Sequence, residues 1–420
     1  MGKIMNRISG LNWLLLGLIA LTWSVNRLAS ATMPRPGANI PWDAPKLVST
    51  NTPEGAFEPV LRVAPNNTLM IMFNRQLGAI TNPYFATSTN GGNTWSSPAP
   101  VQNSGFDLGQ VTLEFDSSNV AHALWRTDTQ LFHAAQNQWP SSSTLITTAS
   151  NLIDPDIDIA PNNIVHVVWA QGNIQDIYHA YSTNGGSSWS TPTVLNSNGN
   201  KSSAPAVGVD NSGNVHVVWQ ERLFDPQIAD FRNEIEYMKG TLVGGNYVWD
   251  SQPTILSPNN IDTTIPAILL QGNQIHVTYT RFVNVNEQYA YHTAYTLGSG
   301  WSTSVNTMSN TPLSVNYGNY IYFLTSMAYC NNTLFVYFFG APIFNTREQI
   351  WGTSSVANQS WGALESVTSD QVRSANPSML CIGNRLHLAY EQIATVGTPP
   401  QVYYVSGVAN IIYLPVLLKP

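Results

Sequence analysis

One hydrophobic phrase recurs along the chain: an apolar strand, a short polar turn, then a second apolar strand ending on an aromatic residue. It reads PDIDIAPNNIVHVVW from Pro155 to Trp169 and PAVGVDNSGNVHVVW from Pro205 to Trp219. It returns as PAILLQGNQIHVTY from Pro266 to Tyr279 and PSMLCIGNRLHLAY from Pro377 to Tyr390. Looser copies run from Pro59 to Phe73, Val111 to Trp125 and Ser326 to Phe338, which makes seven. Short runs bounded by turn residues predict strands rather than helices. A third strand follows each pair, as at Ile177–Thr183, Glu234–Gly240 and Gln401–Gly407. A fourth usually opens on tryptophan, at Trp95, Trp139, Trp189, Trp249, Trp301 and Trp361. Four short strands per unit, repeated every ~40–60 residues, is the pattern of β-propeller blades. The expected fold is all-β, a seven-bladed β-propeller of four-stranded antiparallel blades.

The blades are expected near 57–103, 110–148, 154–197, 204–257, 264–308, 322–369 and 376–407. The seventh lacks its own tryptophan-led strand. Trp42-Asp43-Ala44-Pro45 matches Trp95-Ser96-Ser97-Pro98, so residues 42–50 are expected to close the ring, which removes an open sheet edge. The propeller then occupies 42–410, after a linker at 32–41 and before an apolar tail at 411–420, whose stretch Ile411 to Leu418 competes for the same place. Residues 1–31 read as a secretory signal. Lys3 and Arg7 precede an apolar run from Leu11 to Val25, and Ala29-Ser30-Ala31 has the form of a cleavage site. Export to the medium or the cell surface is the expectation, with an uncleaved N-terminal anchor as the alternative.

Charge narrows the function classes. Only 10% of residues are charged, against about 25% in an ordinary soluble protein. The chain carries a formal charge of −7, and loss of the leader would remove three cations, Lys3, Arg7 and Arg27, and no acid. That balance excludes a basic nucleic-acid binder, which needs cations for phosphates. The two cysteines, Cys330 and Cys381, occupy equivalent places in neighbouring repeats. Export permits a disulfide, and the spacing alone leaves their pairing open. No zinc-ligand spacing exists, and no cofactor is implied.

Two turns between third and fourth strands are sharper than the rest: Ser88-Thr89-Asn90-Gly91-Gly92-Asn93-Thr94-Trp95 and Ser182-Thr183-Asn184-Gly185-Gly186-Ser187-Ser188-Trp189. An Asx side chain ties the turn, glycine supplies positive φ, and the tryptophan is expected to be largely buried as a plug between sheets. These turns resemble the Asp box, S-x-D-x-G-x-T-W, of sialidases and related BNR-repeat propellers, with Asn in place of Asp. NTLMIMFNR, Asn67 to Arg75, is similar to a sialidase strand that ends on a substrate arginine. RLHLAYE, Arg385 to Glu391, is similar to a late strand of that family. The resemblance implies a propeller fold, a structural role for the boxes, and a glycan at the mouth with Arg75 among its ligands. It does not extend to the family's full catalytic set. Phe57-Glu58-Pro59 stands where the family has an arginine, Gln76 to Pro83 hold no acid, and Asn376-Pro377-Ser378 hold no tyrosine nucleophile.

Other chemistry-bearing residues fall into the repeat. Five histidines, His122, His166, His216, His276 and His387, share one position in the second strand, and His133, His179 and His292 lie in third strands. Residues spread once per blade round a ring do not converge on one ion, so these are read as structural. Asp154, Asp156 and Asp158 share one face of a strand without the Gly and distant Glu of a calcium loop, so a hydrogen-bonded strand start is expected. The two residues after each terminal aromatic are expected to line one rim. That rim would gather Arg75, Arg126, Arg281, Glu221 and Glu391, with Arg222 a step further. Phe224 in the longest loop and Tyr317 and Tyr320 between blades add exposed aromatics suited to sugar rings. The leading expectation is an exported propeller that binds a glycan or an extracellular protein through Arg75, Arg126, Arg222, Arg281, Phe224, Tyr317 and Tyr320. The alternative is a sialidase-like glycoside hydrolase with Glu221, Glu391 or Asp154 as acid and base.

Overall fold

Seven antiparallel sheets arise directly from the seven copies of the repeat, in a computed structural model that describes residues 40–50, 54–103, 107–226, 229–258, 261–284, 286–308, 310–314, 324–342, 347–356, 360–395 and 397–409. The leader, most of the linker and the apolar tail lie outside the described residues. Among the described residues no helix is long and apolar enough to cross a membrane.

Each blade runs outward from the ring axis as first, second, third and fourth strand. Blade 1 is Ala56–Val63, Leu69–Leu77, Ile80–Ser88 and Ala99–Pro100. Blade 3 is Ile153–Ile159, Val165–Gln171, Asp176–Ser182 and Thr193–Val194. In blade 4 the second and third strands lengthen to Val215–Asp225 and Asp230–Val243, and the fourth breaks into Asn246–Trp249 and Thr254–Ile255, both paired to the third. The terminal aromatics Phe73, Trp125, Trp169, Trp219, Tyr279, Phe338 and Tyr390 are all essentially inaccessible. Burying side chains of this size contributes about 2–3 kcal/mol each, so the repeated aromatic is a main source of stability.

The ring closes as expected. Lys46–Leu47 pairs with Gln401–Val408 of blade 7, Lys46 opposite Tyr404 and Leu47 opposite Tyr403, and Trp42 bridges to Gly407. Trp42 also completes a seven-membered set of contacts between blades. The fourth-strand tryptophan of each blade packs on an aromatic ring of the preceding blade. Trp95 meets Tyr404 at 5.0 Å, Trp139 meets Phe85 at 5.0 Å and Trp189 meets His133 at 5.2 Å. Trp249 meets His179, Trp301 meets Tyr237, Trp361 meets His292 and Trp42 meets Tyr337. Trp95 and Trp189 are half-buried rather than fully buried, because each plugs a seam near the outer rim with one edge in solvent.

The two Asn-Gly-Gly turns are hydrogen-bonded alike. Ser88 Oγ accepts from Gly92 N at 2.9 Å and Asn90 Oδ1 from Thr94 N at 3.0 Å, matched by Ser182 with Gly186 and Asn184 with Ser188. Gly92 and Gly186 have φ of 83° and 85°, and a Cβ on either would overlap Tyr404 or His133 of the preceding blade. Cys330 and Cys381 form a disulfide joining the first strands of blades 6 and 7 across 51 residues of sequence. A loop of that length is stabilised by about 4 kcal/mol in the chain-entropy account.

The histidines are intra-blade pairs. His122 and His133 lie 2.9 Å apart through ring nitrogens, and His166–His179 and His276–His292 each 3.1 Å apart. In blades 4 and 7 a tyrosine replaces the second ring, in His216–Tyr237 and His387–Tyr404. Burial pushes all eight imidazoles below their ordinary value, His133, His166 and His292 to about 3.

Candidate functional site

The first strands face a central channel of about 1500 Å³. Adjacent blades do not pair there, so each first strand offers backbone N–H groups along a free edge that need acceptors. The preceding blade supplies them from side chains. Asp154, Asp156 and Asp158 of blade 3 accept from Ala204, Val207 and Val209 of blade 4 at 3.0, 3.0 and 2.6 Å. The alternating acids are therefore a hydrogen-bonded strand. Ser378 Oγ serves Leu61 N, and Ser326 Oγ serves Met379 N. Arg62 pairs with Glu114 at 2.8 Å beside these aspartates, and burial raises Asp156 to about 6.

At one end of the channel the first strand of six blades carries a bulge. Its residues, Glu58, Gln110, Asp154, Ala204, Ile265 and Asn376, hold φ between 48° and 53°. Ala204 and Ile265 bring no functional group, so the bulge belongs to the fold rather than to one site. It turns an N–H toward the preceding blade. Glu391 Oε2 accepts from Glu58 N at 2.9 Å, Gln110 Oε1 from Asp154 N at 2.9 Å and Gln220 Oε1 from Ile265 N at 3.3 Å. Asn74 donates to Glu58 Oε2 at 2.8 Å, Arg126 Nε to Gln110 Oε1 at 2.5 Å, and Gln110 Nε2 to Asp154 Oδ1 at 2.7 Å. The result is an arc of two hydrogen-bonded groups, one over blades 7 and 1 and one over blades 2 and 3. Within it burial and the neighbouring Glu391 raise Glu58 to about 7, against the pull of Asn74 and Arg126.

The predicted rim is split by strand alternation. Residues one past the terminal aromatic turn to the bulge of their own or the next blade, and residues two past it turn to the aromatic's own face. Arg126 and Glu391 are of the first kind, and Arg126 also reaches Asp128 at 3.5 Å. Arg75 is of the second, paired with Glu54 at 2.9 Å and lying over Tyr84. Glu221 is also of the second and has no exposed surface. It accepts from Ser202 Oγ at 2.6 Å, Asn196 Nδ2 at 2.9 Å and Trp219 Nε1 at 3.2 Å. Arg281 lies over Tyr289 and within 3.5 Å of the Tyr291 hydroxyl. The expected single rim of Arg75, Arg126, Arg281, Glu221 and Glu391 is thus one end of the ring but not one cluster.

Beyond the rim the long blade 4 hairpin carries Phe224 and Phe231, 57% and 50% exposed, with ring centroids 5.5 Å apart. Arg222 stacks on Phe231 at 4.5 Å, and both line the channel mouth. Tyr317 and Tyr320 lie outside the described residues. Sequence reasoning missed Glu58 and Gln110 as members of the arc. Its signal was present in the recurring pairs Glu58-Pro59, Asp154-Pro155, Ala204-Pro205, Ile265-Pro266 and Asn376-Pro377, which mark the bulge. Among the described residues no three His, Cys, Asp or Glu side chains are placed to hold a metal ion.

No protein-family model matches the chain, and no curated protein matches its sequence. Solved structures do share its fold. The polysaccharide lyase Uly1 superposes with a TM-score of 0.55 at 9% identity, covering 84% of this chain and 90% of the other. An alpha-L-arabinofuranosidase from Fusarium graminearum, Arb93a, in complex with an iminosugar inhibitor, gives 0.50 at 11% identity over 87% and 98%. The intramolecular trans-sialidase of Ruminococcus gnavus gives 0.46 at 11% identity over 86% and 95%. At these identities the likeness is one of fold, a β-propeller.

Proposed function

We propose that the protein is exported and binds a glycan at the mouth of its channel. The carrying observation is the contrast between a channel mouth bearing exposed Phe231 beside Arg222 and mouth carboxylates already engaged by neighbouring blades. Aromatic faces beside amide and cationic groups suit sugar rings. The enzymes of similar fold that act on or bind carbohydrate support the same class of ligand. Titration of the mature protein against an oligosaccharide panel, read by calorimetry and by chromatography for released products, tests this reading. Saturable binding without product is expected. Absence of saturable binding across the panel overturns it.

One observation favours a hydrolase instead. Glu58, raised to about 7 beside Glu391, has the environment of a carboxylic acid that donates a proton at neutral pH. In that reading Glu58 is the general acid, and Glu58→Gln abolishes turnover while leaving binding in place.

A further inference from the structure

At the blade 4 corner of the mouth two cations face each other without an ion pair among the described residues. Lys201 opens the first strand of the blade and sits directly opposite Arg222 in the antiparallel register. Like charges facing each other across strands are destabilising, so such a pair is not explained by the fold. Both side chains are exposed and line the channel mouth. Among the described residues neither forms an ion pair. The equivalent position in blade 7 shows the usual solution: Arg373 stands opposite Ile393 and pairs with Glu348 at 3.0 Å. Two acids also line the corner, and neither forms an ion pair with Lys201 or Arg222 among the described residues. Asp262 accepts from Asn233 N and Nδ2 at 2.9 and 2.8 Å, and Asp230 accepts from Phe231 N at 2.7 Å. Phe231, half-exposed, places an aromatic face beside Arg222 and lines the same mouth as Lys201.

Resting on the glycan-binding reading above, we propose that Lys201, Arg222 and Phe231 form a subsite for an acidic sugar. The two cations hold its anionic group, and the Phe231 ring stacks on its apolar face. A carboxylate and a sulfate both satisfy this chemistry. A guanidinium fork favours planar carboxylate, so a uronate is the expected source.

The test uses the mature protein with three trisaccharides: galacturonate, its neutral methyl ester, and a sulfated galactose. The parent should bind the galacturonate at least tenfold more tightly than the ester, and this preference should shrink as salt rises. Lys201→Ser and Arg222→Ser should each lose about tenfold or more in galacturonate affinity and little in ester affinity. Both should melt at or above the parent temperature, since each relieves a like-charge pair. Phe231→Ala should weaken all ligands alike. Tighter binding of the sulfated sugar assigns sulfate as the source within the same subsite. Equal binding of acid and ester, or unchanged galacturonate affinity in both serine variants, overturns the subsite while the glycan reading stands. Absence of binding to all three overturns both.

Discussion

On the blade 7–1–2–3 side of the mouth, Glu391, Asn74, Arg126, Gln110 and Asp154 each end on a hydrogen bond to a neighbouring element. On the blade 4 side, Lys201 and Arg222 end on no hydrogen bond or ion pair among the described residues, although the same bulge underlies both. Proximity to the channel is therefore a poor guide to function in this ring. What separates the two sides is whether a side chain's donors and acceptors have already been used to join blades. The first side is spent on joining blades, and the second leaves two facing cations without an ion pair among the described residues.

The largest expected effect tests the framework common to both sides. All eight histidines hold pKa values below the ordinary 6.5, so the unfolded chain takes up protons first as pH falls. Their contribution is complete above about 6.5 and is lost as pH drops toward 3–4. Seven carboxyls, Glu58, Asp156, Asp158, Asp176, Glu234, Glu236 and Glu365, are raised and act in the opposite sense, so they offset much of this loss. Replacing the His166–His179 pair by Phe–Phe removes two of the lowered imidazoles, so melting temperature should fall less between pH 6.5 and 4 in that variant than in the parent, and parallel profiles would contradict the buried pair. Next, Trp189→Ala should cost about 3 kcal/mol, near the low end for a large aromatic because the ring is only half-buried. Urea unfolding gives the value, and a parent-like midpoint would refute the seam plug.

Smaller effects separate the two sides of the mouth. Glu391→Ala removes the acceptor of Glu58 N–H and should cost about 2 kcal/mol, the range for a hydrogen bond to a charged group. Glu58→Gln has an effect that depends on pH. The raised carboxyl contributes stability below about 4.5 that is lost as pH climbs through about 7, so the variant should gain on the parent across that window and run parallel above it. A constant difference at all pH values would mean that Glu58 is not held in its neutral form. Least of all, Phe231→Ala should leave stability within about 0.5 kcal/mol, as for other exposed positions. A larger loss would place the blade 4 corner with the stitched side.

The sequence by itself determined the ring. Seven aromatic-ended strand pairs must bury those aromatics, and only stacking sheet on sheet does so, which also made the closing role of Trp42 legible from its match to Trp95. The structural reading of the histidines and of Asp154, Asp156 and Asp158 followed from the same periodicity. Tertiary structure alone decided which polar residues are spent. Glu221 and Glu391 carry the same side chain one repeat step apart in register, yet Glu221 is sealed against Trp219 while Glu391 reaches the next blade. Strand alternation sets which face each occupies, and the neighbouring blade sets what it meets there. The Lys201–Arg222 pair was invisible for the same reason. The two residues lie on consecutive strands, and only the bulged register of blade 4 brings the two positive charges face to face.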